Sequence, residues 1–373
     1  MQMFGINVQA KQCILSIIKR QRTALPSFEI RYSAVRCLIQ AIEAFSLITK
    51  KPCHFGVVSY ERTEFQRTEG KRLKRKPVDI SSFQHLYPFT SHYLDLNGLK
   101  YHYLDEGEGD PIVMVHGNPT WSFYYRKLIK VLSKRYRSIA PDHIGCGLSD
   151  KPGITEYDYR LRSRIDDLDH LLGTLTTDEK ITLILHDWGG MIGMAYALRH
   201  PEKICRLVVM NTAAFLPPSA KRIPLRLSVI RRSGPLAALA VLGFNIFARG
   251  ALSMASKKGL SAAVKRGLTA PYNCWKNRLA TLKFVQDIPL TENDPSYRLA
   301  KQVDEQLQTL SQLPMLICWG EHDFVFDQDY LAEWQRRFPA AEVHRFPDAG
   351  HYVLEDAAET VIDRIRKFML EDR

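Results

Sequence analysis

Five side chains in this sequence have the types and spacing to perform nucleophilic chemistry. His186-Asp187-Trp188-Gly189-Gly190 follows an apolar, β-prone run that begins at Ile181, and a helical pattern from Met191 to His200 comes next, stopped by Pro201. A strand, a sharp turn and a helix form a nucleophile elbow, which lifts one side chain above a sheet edge. The side chain lifted here is Asp187, where Ser is the familiar occupant, and Leu185 stands at the position of the first glycine of Gly-x-Ser-x-Gly. A carboxylate with an ordinary pKa of about 4 is ionised at neutral pH and needs no base before it attacks carbon. The indole N–H of Trp188 donates and cannot accept, which suits a departing anion. Taken alone, the run also fits an ordinary strand-to-helix turn in which Asp caps the helix, so partners must be sought elsewhere in the chain.

Partners stand at other strand ends. Asn118 follows the buried run Pro111 to Val115. Asp323 follows Met315 to Trp319, with Glu321 and Asp327 as rival acids. His351 follows Glu342 to Phe346, behind Gly350. His186, His322, Asp142 and His143 read as structural or packing residues, and Cys146, in a glycine-bracketed loop, reads as no nucleophile.

The elements that must position these groups alternate. A hairpin turns at Asn97-Gly98, strands follow at 111–115, 137–140, 181–186 and 205–210, and helices are expected at 125–133 and 159–175. Such alternation predicts an α/β fold, a mostly parallel sheet with helices on both faces. Between 213 and 297 no strand pattern appears. Helices are expected there at 225–230, 236–249 and 261–269, as an inserted helical cap over the carboxyl edge of the sheet. The core is then 78–212 with 298–373, including a helix at 328–338, a strand at 342–346 and a closing helix to about 369.

Composition excludes several classes. Hydrophobic and charged fractions of 45% and 25% belong to a globular chain. The net charge of +12 is uneven: residues 1–77 hold 15 Lys and Arg against 5 Asp and Glu, and the remainder holds 37 against 35. The near-neutral remainder argues against nucleic acid as a partner. Residues 1–77, with helix-like spacing at 12–19 and 34–49 and a basic cluster at 71–76, read as a poorly ordered or partly helical basic extension. Its functional alternative is a basic arm touching an acidic partner or, weakly, a membrane surface. It lacks the pattern of a secretory signal. Seven scattered cysteines without a C-x-x-C pair predict neither a zinc site nor a disulfide framework, and point to the reducing cytoplasm. No run reaches the length of a membrane span.

With the elbow, a later acid and a late histidine in that order, the sequence over residues 80–373 resembles the α/β-hydrolase family. His186-Asp187-Trp188-Gly189-Gly190 together with His116-Gly117-Asn118-Pro119 resembles the haloalkane dehalogenase group. The stretches 141–152, 211–215, 284–290 and 324–327 are similar to the β-lactone decarboxylases of bacterial long-chain olefin biosynthesis. The resemblance implies that Asp187 is the nucleophile, that His351 is the base, and that Asp323 orients it. It also implies that the side chains of Asn118 and Trp188 hold the leaving anion, with their backbone N–H groups lining an oxyanion site. Some dehalogenases carry the acid after the strand that here ends in Asn211-Thr212, where no carboxylate stands.

The implied reaction turns a cis-3,4-dialkyl-oxetan-2-one into a cis-alkene and carbon dioxide. It needs no cofactor and no metal, takes a hydrophobic small molecule, and is expected alongside other enzymes of that pathway. Whether Asp187 attacks the ring C–O carbon or the carbonyl stays open at this stage. A haloalkane dehalogenase is the alternative. An epoxide hydrolase would need Tyr272 and Tyr297 aimed at the nucleophile, and a non-catalytic scaffold of the same fold would be expected to have lost Asp187 or His351.

Overall fold

The computed structural model describes residues 78–177, 179–218, 224–232 and 234–370. The expectations for residues 1–77 lie outside them. The first strands, β1 (Ser91–Leu96) and β2 (Leu99–Glu106), form a hairpin whose turn places Asn97 and Gly98 at φ 53° and 82°. Both values lie in the left-handed region that Asn and Gly tolerate. There follow β3 (Pro111–Val115), α1 (Arg126–Leu132), β4 (Arg137–Pro141), α2 (Leu161–Leu175), β5 (Ile181–Asp187), α3 (Trp188–Arg199) and β6 (Ile204–Thr212).

The next described elements are helical. They are α4 (Leu225–Arg232), α5 (Gly234–Ala238), α6 (Ile246–Met254), α7 (Ala262–Thr269), α8 (Leu279–Gln286) and α9 (Tyr297–Gln306). The chain closes with β7 (Met315–Gly320), α10 (Gln328–Arg337), β8 (Glu342–Phe346), α11 (Val353–Asp356) and α12 (Ala358–Leu370).

The eight strands form one sheet in the order β1-β2-β4-β3-β5-β6-β7-β8. The pairs β1/β2 and β2/β4 are antiparallel, and every later pair is parallel. Strands β3 and β5 are buried along their whole length, as expected where helices cover both faces. From β3 the chain steps outward to β4, then returns to the other side of β3 as β5. Their carboxyl ends therefore flank the point where strand order reverses, the usual place for a ligand crevice in such sheets. Asn118 follows one of these strands and Asp187 ends the other.

One expected helix is corrected. Residues 236–249 are not a single helix: α5 runs into a wide π turn at Leu239–Gly243, and Asn245 then takes φ 55° before α6 begins. A left-handed residue stops a helix, and Asn is one of the few side chains that accept that conformation. The break folds the segment around a small core of Ala237, Val241, Leu242 and Leu282.

Candidate active site

Asp187 sits at φ 53° and ψ −128°, a conformation that side-chain-bearing residues rarely adopt. Close packing permits it. A Cβ at Gly189 would overlap the Val115 carbonyl, and one at Gly117 would overlap the Asp187 carboxylate itself. The Thr212 hydroxyl, from the end of β6, donates to the Asp187 carbonyl. Strand ends on both sides therefore hold the turn.

The two carboxylate oxygens are treated differently. Oδ1 accepts the backbone N–H groups of Asn118 at 2.7 Å and Trp188 at 2.6 Å. Oδ2 lies 3.4 Å from His351 Nε2. The other ring nitrogen, His351 Nδ1, is 2.7 Å from Asp323 Oδ2. Burial works against charge on both Asp187 and His351, and their mutual attraction works for it. For Asp187 the hydrogen bond and charge of His351 prevail, holding its pKa below the usual carboxylate value. For His351, Asp323 and Asp187 together overcome burial and push the pKa up to about 10. Both shifts favour an imidazolium between two carboxylates. His186 is driven the other way, to about 3, by burial and then by the charge of His351. It is a neutral packing group, stacked on Tyr124 at 4.4 Å between ring centroids, with Nε2 2.9 Å from the His351 carbonyl.

Of the three acids after β7, Asp323 is the one that reaches His351. Glu321 lies 3.6 Å from Arg345, and Asp327 caps α10 by accepting from the Asp329 N–H. Asp323 is held in turn by the Val325 N–H at 2.7 Å and by the Asn211 amide at 3.1 Å. Asn211 also exchanges two hydrogen bonds with the Gly320 backbone. The sequence marked Asn211 as a missing carboxylate and as the start of the stretch 211–215, without a role for its side chain. Its working partner becomes visible once β6 and β7 are neighbours.

Asn118 and Trp188 both line the cavity above Asp187. The Asn118 amide donates one hydrogen to the Thr281 carbonyl at 3.0 Å, which fixes its orientation and leaves its second donor for a ligand. Trp188 packs against Phe284, with ring centroids 5.4 Å apart. The two backbone N–H groups expected to line an oxyanion site hold Asp187 itself in this state. Beneath the Asn118 loop, Asp142 accepts from the Ser122 and Leu148 N–H groups and pairs with His102 at 2.8 Å, while the His143 N–H donates to His116 Nε2. Cys146 is buried, which pushes its thiol up to about 11, far from a nucleophile's range.

The cavity measures about 1110 Å³. Its walls are apolar and come from both parts of the chain, with Phe215, Val229, Ile230, Phe247 and Phe326 among them. Tyr330 and Tyr352 line it, whereas Tyr272 and Tyr297 do not. The Tyr272 hydroxyl points to the Thr120 carbonyl instead, so the tyrosine pair an epoxide hydrolase requires is not aimed at Asp187. No cluster of potential metal ligands occurs among the described residues.

An elbow aspartate, a histidine with its acid, and a helical segment over the carboxyl edge of a mostly parallel sheet define a class. The family model described as "alpha/beta hydrolase fold" matches residues 110–358, and the chain belongs to that family. Within it, the sequence is 51% identical over 287 residues to the cis-3-alkyl-4-alkyloxetan-2-one decarboxylase of Shewanella oneidensis, covering 77% of this chain and 90% of that protein. It is 45% identical to the protein of the same name from Xanthomonas campestris, covering 76% and 97%. Haloalkane dehalogenase 2 of Mycobacterium bovis is more distant, at 31% identity over 76% of this chain and 96% of that one. Among solved structures, a haloalkane dehalogenase from Bradyrhizobium elkani superposes with a TM-score of 0.66 at 24% identity, covering 75% of this chain and 99% of that one, a likeness of fold.

Proposed function

We propose that this protein decarboxylates a cis-3-alkyl-4-alkyl-oxetan-2-one to a cis-alkene and carbon dioxide, as a lyase of the α/β-hydrolase family. The 51% and 45% identities to proteins of that name support the reaction. The observation that carries the mechanism is the asymmetry at Asp187. Oδ1 is tied to two N–H groups, and Oδ2 remains for bond formation beneath an apolar cavity.

Oδ2 attacks ring carbon C4. The C4–O bond breaks and its electron pair leaves as a carboxylate on C3, received by the Asn118 amide and the Trp188 indole. The bond from C3 to that carboxylate then breaks, its electrons form the C3–C4 double bond, and the C4–Oδ2 bond returns its pair to Asp187. Carbon dioxide departs, and neither water nor a proton is consumed. Inversion at C4 followed by anti loss of the two groups keeps the alkyl chains cis. The N–H groups that hold Oδ1 favour this route over attack on the carbonyl, because that oxyanion would need the same donors. His351 serves as a fixed positive charge beside Oδ2. The apolar walls shelter two alkyl chains and keep water from the strained ring.

In a haloalkane dehalogenase the ester must instead be hydrolysed, with His351 activating water. The two reactions separate on one experiment. Purified protein receives a cis-dialkyl β-lactone and, separately, a bromoalkane. Alkene with one equivalent of carbon dioxide supports this reading, and rapid bromide release with no alkene would reverse it.

Among the described residues no single helix is long and apolar enough to cross a membrane. The described cysteines, Cys146, Cys205, Cys274 and Cys318, are unpaired thiols, which supports a cytoplasmic setting. There the protein works beside the enzyme that forms its reactive lactone.

A further inference from the structure

The helices between β6 and β7 carry a charge that the rest of the fold does not. Residues 213–297 contain 13 Lys and Arg against 3 Asp and Glu, and no acid precedes Asp287. The remainder of 78–373 has 24 against 32, so a segment of net +10 sits on a body of net −8. The same segment exposes large apolar side chains. Leu225, Val229 and Ile246 are 79%, 52% and 45% exposed, and all three also line the cavity above Asp187. The apolar wall therefore continues to the outer surface. Leu236 and Phe244 are exposed nearby, outside the cavity. No residue of α4 is buried, although Leu225, Leu227, Val229 and Ile230 all belong to it.

Helix α6 is a wall shared by two openings. Ile246, Phe247, Gly250 and Met254 face the cavity, while Arg249 faces a second groove of about 600 Å³ with Phe244 and Arg266. Together, Gly234–Gly243 and Ile246–Met254 have the length and apolar composition of a membrane-crossing segment, but they are bent by 70°. That shape cannot span a bilayer as one rod. It suits lying in the boundary between headgroups and acyl chains, where apolar side chains enter the chains and arginines meet phosphates.

We propose that this cationic, apolar-rimmed surface docks the protein on an anionic phospholipid bilayer, with the cavity mouth facing the lipid. Charge complementarity selects the occupant: a bilayer offers negative phosphates and hydrocarbon together, and the rim presents cations and apolar side chains in the same arrangement. A water-insoluble substrate then enters from lipid, and an apolar product leaves into it. Docking holds for any apolar substrate, whichever bond is broken.

The test uses the full chain in co-sedimentation with vesicles of phosphatidylglycerol and phosphatidylcholine in equal parts, and with phosphatidylcholine alone, at physiological salt. Binding to the first is expected to exceed binding to the second. The double variant Arg249→Glu/Arg266→Glu is expected to bind the anionic vesicles about tenfold or more weakly. Leu236→Ser/Phe244→Ser is expected to weaken binding severalfold. Both pairs lie away from the catalytic cavity, so turnover of a short, water-soluble substrate and the melting temperature report retained folding. Binding unchanged in both variants would assign the contact to the basic residues 1–77 and overturn the proposal. Absence of binding to anionic vesicles would overturn it as well, leaving an acidic protein as the partner of this surface.

Discussion

His351 Nε2 stands 3.4 Å from the one carboxylate oxygen of Asp187 that no backbone N–H holds. A cation therefore faces the oxygen proposed to attack, and its opposite ring nitrogen is anchored on Asp323. This pairing makes Asp187 a ready anion in a buried site, where an isolated carboxylate would take up a proton.

Removing the proposed nucleophile should abolish turnover. Asp187→Ala is expected to lower kcat by at least about 10⁴-fold, by analogy with other nucleophile deletions. Alkene formation followed by gas chromatography measures it, and a rate near that of the wild type would remove Asp187 from the mechanism.

His351 separates the two chemistries. With His351→Gln, decarboxylation should slow but persist, because no water needs activating. A bromoalkane should instead leave a stable alkyl ester on Asp187, visible as added mass on the intact protein. Complete loss of alkene formation in a folded variant, persisting at alkaline pH where the Asp187 carboxyl ionises without its partner, would mean that His351 moves a proton in the reaction.

The same pair sets a pH dependence of stability. The folded pKa of His351, about 10, lies above its ordinary 6.5. Its contribution is whole below about 6.5 and is lost as pH rises through about 10. Asp187 is shifted down, so its share is present above its ordinary 3.8 and lost as pH falls through the lowered value. The stability advantage of wild type over His351→Gln should therefore shrink between about pH 6.5 and pH 10, as read by denaturant titration at several pH values.

Asn211 is expected to act through Asp323, which its amide holds. Asn211→Ala removes the 3.1 Å hydrogen bond to that carboxylate and two more to Gly320. A loss of about tenfold in kcat with KM nearly unchanged is expected, roughly the worth of one hydrogen bond to a charged group. Asn211→Asp places a second carboxylate against Asp323 and should be worse; equal activity in both variants would limit Asn211 to a structural role.

Away from the site, Glu355 pairs with Arg126 through two hydrogen bonds of 2.5 and 2.9 Å, with both side chains nearly buried. Glu355→Ala leaves a buried guanidinium without its main partner. A loss of about 3–5 kcal/mol in unfolding free energy is expected. Glu355→Leu combined with Arg126→Met should recover much of it, because the charge then goes with its partner.

Much of this arrangement was legible in the chain. Apolar runs and turn residues located every strand of the sheet. Strands β3 and β5, buried along their whole length, carry the continuous apolar signature of strands covered on both faces, whereas β1 and β8 are largely uncovered and were marked by alternation and flanking turns. The strand Glu342–Phe346 was placed to the residue, and the hairpin announced itself through Asn97-Gly98. The segment from 236 to 249 misled, because its periodicity is helical on both sides of Asn245 and only the backbone at that residue shows the break. Neither of the two later helices starts with a side-chain cap: α8 follows Arg278, and the Ser296 hydroxyl at the start of α9 donates to Asp287 instead.

Covalent order by itself determined the chemistry on offer: an aspartate at a strand-to-helix turn, a histidine near the end, and acids between them. Local pattern left Glu321, Asp323 and Asp327 as rivals, and the family resemblance pointed to Asp323, which folding brings against His351; which oxygen of Asp187 is left to react was decided by folding alone. Those choices depend on strand neighbours more than a hundred residues apart, such as Asn211 beside Gly320 and Asp323. Local sequence pattern encodes periodicity and turns, but hydrogen-bond direction between distant strand ends exists only after the sheet has closed.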